Sequence, residues 1–100
     1  MPNNEITKNV EWLFNAIKSC GMSLYNVICT KLIHGRKEEI TAGHLLALYA
    51  NAPIELQKTL KTTFIVDSYF NKDKTRYKAI LEAMFERLIC EGVQIRKERY

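Results

Sequence analysis

Apolar residues recur along most of the chain at spacings of three and four. In the first segment Ile6, Val10, Leu13, Phe14 and Ile17 fall on one face of a helix, and Gly21 supplies a left-handed stop. Ser23 can cap a second helix carrying Leu24, Val27, Ile28 and Leu32, closed by His34-Gly35, after which Arg36-Lys37-Glu38-Glu39 reads as a solvated connection. Thr41 caps a third helix running to about Ala50, with Leu45, Leu46, Leu48 and Tyr49 surrounding its axis, as in a central helix. Pro53 opens a fourth, because its missing N–H costs nothing in a first turn. Leu56, Leu60 and Phe64 support that helix at spacing four, although Thr62-Thr63-Phe64-Ile65-Val66 has a composition that suits a strand as well. Asn71-Lys72-Asp73 is a turn whose Asp73 can cap a long fifth helix. That helix buries Tyr77, Ile80, Leu81, Met84, Leu88 and Ile89 and ends at Gly92. Val93-Gln94-Ile95-Arg96 then alternates apolar with polar, as an extended segment does.

The pattern predicts an all-α fold, a compact bundle of about five helices in one domain spanning 1–100, with a short extended C-terminal segment. Composition agrees with a folded domain: 47% of the residues are hydrophobic and there are only four glycines and two prolines, which excludes a disordered chain. Three cysteines in 100 residues exclude a disulfide scaffold. Cys20, Cys29 and Cys90 each lie among apolar neighbours and form no C-x-x-C pair, so the expectation is reduced, buried thiols in a cytoplasmic protein. Met-Pro-Asn-Asn-Glu carries no basic and apolar leader, and no apolar run is long enough to cross a membrane.

Catalysis has little to stand on. Cofactor clefts are usual in chains of roughly 150 residues or more, since small domains have little volume to spare. The sequence has no Gly-rich phosphate loop, no G-x-S-x-G and no H-E-x-x-H. Cys29, His34 and His44 are metal-ligand types at a spacing that matches no defined geometry, so they read as a loop and a helix histidine making ordinary hydrogen bonds beside a buried thiol. Glu38 with Glu39, and Glu82 with Glu86, read as solvated faces. No cofactor, no metal and no enzymatic activity are expected.

Charge carries more information. The net charge is +4, and residues 1–50 contribute only +1 of it against +3 from residues 51–100. Lys72, Lys74, Arg76 and Lys78 crowd the start of the fifth helix, where the dipole favours acids and cations are out of place. Such a cluster suits a phosphate, toward which helix N–H groups and side chains would converge. A second basic group, Arg96, Lys97 and Arg99, lies at the end of the sequence beside Tyr100. The order Tyr77 to Glu91, Gly92, then Val93 to Tyr100 resembles the passage from recognition helix to wing in winged-helix DNA-binding domains, over about a quarter of the chain. A helix-turn-helix placement is offered by Thr41 to Ala50, Asn51-Ala52 and Pro53 to Phe64, with Lys58 and Lys61 on the second helix.

These features lead to two readings. The first is a small helix-turn-helix-like regulator that binds duplex DNA through Lys72, Lys74, Arg76, Lys78, Arg96, Lys97 and Arg99, with a homodimer as its working form. The second is an adaptor or inhibitor, of the kind phages and mobile elements encode, that covers a partner protein's surface. Its anchors would be the aromatic residues Trp12 and Phe85, which lie off the main apolar stripes of their helices, and Tyr100 at the end of the sequence.

Overall fold

Local end signals govern where the helices start and stop. The structure, a computed structural model, describes residues 4–70 and 76–94. They form α1 (Asn4–Ser19), β1 (Val27–Ile33), β2 (Arg36–Thr41), α2 (Ala42–Ala50), α3 (Ile54–Phe70) and α4 (Tyr77–Cys90). Gly21 and Gly92 have φ of 78° and 82° and end α1 and α4 in the same way. The Gly21 N–H donates to Lys18 O and the Met22 N–H to Ile17 O; the Gly92 N–H donates to Ile89 O and the Val93 N–H to Leu88 O. Each pair satisfies two of the carbonyls that a helix end leaves without partners. At α2 the Thr41 hydroxyl accepts from the His44 N–H at 3.2 Å, while His44 Nδ1 accepts from the Thr41 N–H at 3.1 Å. This reciprocal box explains His44 without recourse to a metal. The Pro53 carbonyl accepts the Gln57 N–H at the start of α3, and the stretch 62–66 is helical throughout.

The five-helix, all-α expectation needs correction. Four helices and a two-stranded antiparallel sheet are present among the described residues, and the sheet occupies the place of the expected second helix and its connection. Ser23 does not cap a helix, because its N–H and hydroxyl both donate to Asn26 Oδ1, at 2.7 and 3.2 Å, closing a local turn instead. Beyond it Val27, Ile28, Thr30 and Ile33 are β-branched and favour the extended backbone. His34 and Gly35, with φ of 52° and 78°, form a two-residue turn of the kind whose twist matches a hairpin. Arg36-Lys37-Glu38-Glu39 is therefore strand, paired from Ile33↔Arg36 to Cys29↔Ile40, with an irregularity between Val27 and Cys29. Asparagine enters the left-handed region more readily than histidine. His34→Asn is expected to stabilise the protein by about 0.5 kcal/mol, seen as a rise in thermal midpoint of roughly 2–4 °C.

The hairpin is tied to the start of α2. The Ala42 N–H donates to Asn26 O and the Gly43 N–H to Leu24 O at 2.8 Å. A Cβ on Gly43 would lie 3.1 Å from that Leu24 oxygen, so glycine is what permits the close approach. Helix α1 packs on α2 and α3, α4 packs on the same two helices, and α4 also covers β1. Leu13, Ile17, Leu45, Leu48, Leu60, Leu81, Met84 and Leu88 fill the space between them, with Ile28 and Ile40 from the sheet. Ile89, expected in the buried face of α4, is half exposed.

One polar group sits at the centre of this core. Gln57 is fully buried; its Nε2 donates to Tyr49 O and Ala52 O, and its Oε1 accepts from Asn9 Nδ2 at 3.1 Å. The Tyr49 hydroxyl donates back to Gln57 O at 2.9 Å. One side chain thus links α1, the end of α2 and the first turn of α3, and no buried side-chain N or O atom among the described residues lacks a partner. Burial pushes the Tyr49 phenol up to about 12 from an ordinary value of 10.0. A folded-state value above the unfolded one gives stability that is complete below about pH 10 and is lost as pH rises toward 12. In alkaline unfolding experiments Tyr49→Phe should flatten that fall by about 2 kcal/mol.

Candidate functional site

The basic cluster is only partly described. Lys72, Lys74 and the capping Asp73 lie outside the described residues, as do Arg96, Lys97, Arg99 and Tyr100. Arg76 and Lys78 are exposed at the start of α4, where Arg76 occupies the cap position in right-handed helical conformation and makes no side-chain cap hydrogen bond. The first turn of α4 contains no acidic residue. The helix-turn-helix placement matches α2, the turn at Asn51-Ala52 and α3 in its order. Its two lysines are occupied within the chain: Lys58 Nζ lies 2.9 Å from Glu5 Oε1, and Lys61 Nζ lies 5.6 Å from the centre of the Trp12 ring. The winged pattern is described only as far as Gln94.

The aromatic anchors are placed differently from expectation. Phe85 is 3% exposed and belongs to the core cluster, together with Leu81 and Leu88 of the same helix. It is therefore not a surface anchor. Trp12 is half-buried and stacks edge-on against Phe64, with ring centres 5.4 Å apart, and tilted against Tyr49 at 6.3 Å. Phe64 in turn lies 6.5 Å from Tyr77.

This aromatic row forms the wall of a groove between α1, α3 and the start of α4. Trp12 and Ala16 line it from α1, Cys20 from just past that helix, Phe64 and Ile65 from α3, and Tyr77 from α4, enclosing about 250 Å³. Ile65, Val66 and Tyr69 continue its α3 side as an exposed stripe, at 48%, 46% and 71% exposure. Spacings of three and four place them on one helix surface. The expected site residues did not include this stripe, because the stretch 62–66 has the composition of a strand or a core helix. Lys61 over the Trp12 ring puts positive charge at the groove's edge.

A second group of charges lies between the hairpin and α4. Lys31 Nζ pairs with Glu82 Oε2 at 3.0 Å and with Glu86 Oε1, and these hydrogen bonds, Glu86 first, hold its ammonium well above the ordinary lysine range. Cys29 sits beside this group, and its thiol is pushed up by burial and then by Glu82, which lowers its thiolate fraction at neutral pH. The cysteines are in thiol form; Cys20 and Cys29 are half-buried, whereas Cys90 is exposed rather than buried as expected. Among the described residues no three His, Cys, Asp or Glu side chains come close enough to hold a metal ion, and no helix is long and apolar enough to cross a membrane. Compared with family models, curated proteins and solved structures, the chain matches none of them, so its own residues carry the functional reading.

Proposed function

We propose that this chain is a small non-enzymatic protein that acts by holding a partner protein on the groove between α1 and α3. The observation that carries the reading is the exposed stripe Ile65, Val66 and Tyr69 running beside a groove walled by Trp12, Phe64 and Tyr77. Contiguous apolar surface next to a concave aromatic site is the usual form of a protein-binding hot spot. Lys61 at its edge, over the Trp12 ring, favours an apolar segment that also carries a carboxylate. The test is affinity capture with wild-type bait and with Ile65→Asp/Tyr69→Asp bait. Both substitutions are at exposed positions and leave the core intact. A partner retained by the first bait and lost from the second supports the reading; equal retention contradicts it.

Duplex DNA is the second reading, and the exposed Arg76 and Lys78 at the start of α4, whose first turn carries no acidic residue, favour it. It calls for binding that weakens by orders of magnitude between about 50 and 200 mM salt and is lost in Arg76→Ala/Lys78→Ala.

A further inference from the structure

Strand β1 is an edge of a two-stranded sheet, and its two neighbouring surfaces are unlike. In a hairpin with a two-residue turn the flanking residues, Ile33 and Arg36, exchange both backbone hydrogen bonds, and inward pairs recur at every second position. Lys31 and Cys29 therefore direct their backbone groups toward β2, and Thr30 and Leu32 direct theirs to the outer edge of β1. Both are exposed, Leu32 at 72%. The corresponding edge of β2 carries Arg36, Lys37, Glu38 and Glu39 in succession, the kind of charged edge that resists pairing with another strand. Strand β1 has no such guard. Its single charge, Lys31, is drawn onto α4 by Glu82 and Glu86.

We propose that the outer edge of β1 pairs with the same edge of a second copy of this chain, joining the two hairpins into one four-stranded antiparallel sheet. A two-fold axis through Thr30 lies in the regular part of β1, beyond the irregularity between Val27 and Cys29. It sets Thr30 against Thr30 as a hydrogen-bonded pair and Cys29 against Lys31, and brings the exposed Leu32 to the second copy's irregular end of the strand. An axis through Lys31 would instead set like charges directly opposite, which opposes pairing. A groove of about 410 Å³ opens beside this strand, between β1 and α4, lined by Leu32, Ile33, His34, Phe85 and the half-exposed Ile89, so apolar surface adjoins the unguarded edge.

The association uses residues separate from the α1–α3 groove and stands or falls without it. Sedimentation equilibrium under reducing conditions, which exclude a disulfide through exposed Cys90, tests it over about 1–200 µM protein. The expected mass rises with concentration from 11.6 kDa toward twice that value. Leu32→Lys, at an exposed position, should weaken the dimer at least about tenfold, as should Thr30→Pro, which removes an outer-edge N–H and no β1–β2 hydrogen bond. Lys37→Ala on the β2 edge should leave it unchanged. A wild-type chain that stays monomeric at the highest concentration, or a dimer that survives Leu32→Lys, overturns the proposal.

Discussion

Gln57→Ala is expected to cost about 3 kcal/mol and to lower the thermal midpoint by roughly 12–24 °C, a large part of the stability of a 100-residue domain. The substitution removes three hydrogen bonds at once. It leaves Asn9 Nδ2, in a residue only 4% exposed, without its acceptor, and opens a void where α1, α2 and α3 meet. Gln57→Leu restores most of the volume but not the acceptor, so about 2 kcal/mol of the loss should remain. Asn9→Leu combined with Gln57→Leu removes both partners and should recover part of it, because two apolar groups facing each other leave no amide stranded. Urea unfolding of the wild type, Gln57→Ala, Gln57→Leu, Asn9→Leu and the double variant measures the single losses and the cycle. Losses below about 1 kcal/mol for both single Gln57 variants would show that the junction does not hold the three helices together.

Trp12→Ala is expected to have a comparable effect, about 3 kcal/mol, from a residue that is only half-buried. The indole contacts Phe64 and Tyr49 and lies beneath the Lys61 ammonium, so one deletion loosens α1 from α3 and collapses the wall of the groove. Trp12→Phe keeps a ring in place and should cost about 1 kcal/mol. Since Trp12 is the single tryptophan, unfolding of these variants has to be followed by circular dichroism. Partner capture by Trp12→Ala should fall with that by the stripe variant. Capture unaffected by Trp12→Ala would detach the aromatic row from the function.

The parts of the fold legible in the sequence are those fixed by chemistry within a few residues. Gly21, Thr41, Pro53 and Gly92 mark helix ends correctly because each acts through its own backbone or side chain on the adjacent turn. The hairpin was hidden for a related reason. Leu24, Val27, Ile28 and Leu32 have a spacing that a helix accepts, and what decides for a strand is the Ser23–Asn26 turn together with a left-handed histidine. Had position 34 been asparagine, the two-residue turn would have been plain. Gln57 shows the opposite limit: a glutamine in the first turn of a helix reads as solvated, and its buried amide is matched by Asn9, 48 residues earlier. Lys31 likewise meets Glu82 and Glu86 across 51 and 55 residues, which turns two apparently solvated carboxylates into a clamp on the hairpin. The candidate site followed the same division. Trp12 was visible as an aromatic off the main stripe, whereas Phe85 shared that description and is core. The Ile65–Val66–Tyr69 stripe emerges only when α1 and α4 are seen to leave that side of α3 uncovered.

The central claim is that binding happens on the α1–α3 face. Hydrogen–deuterium exchange of the chain, alone and saturated with its captured partner, locates the contact without assuming which side chains matter. Added protection is expected in α1 from Trp12 to Ser19 and in α3 from Lys61 to Tyr69, with β2 unchanged. Protection confined to the start of α4 around Arg76 and Lys78, with α1 and α3 exchanging as before, would contradict the account.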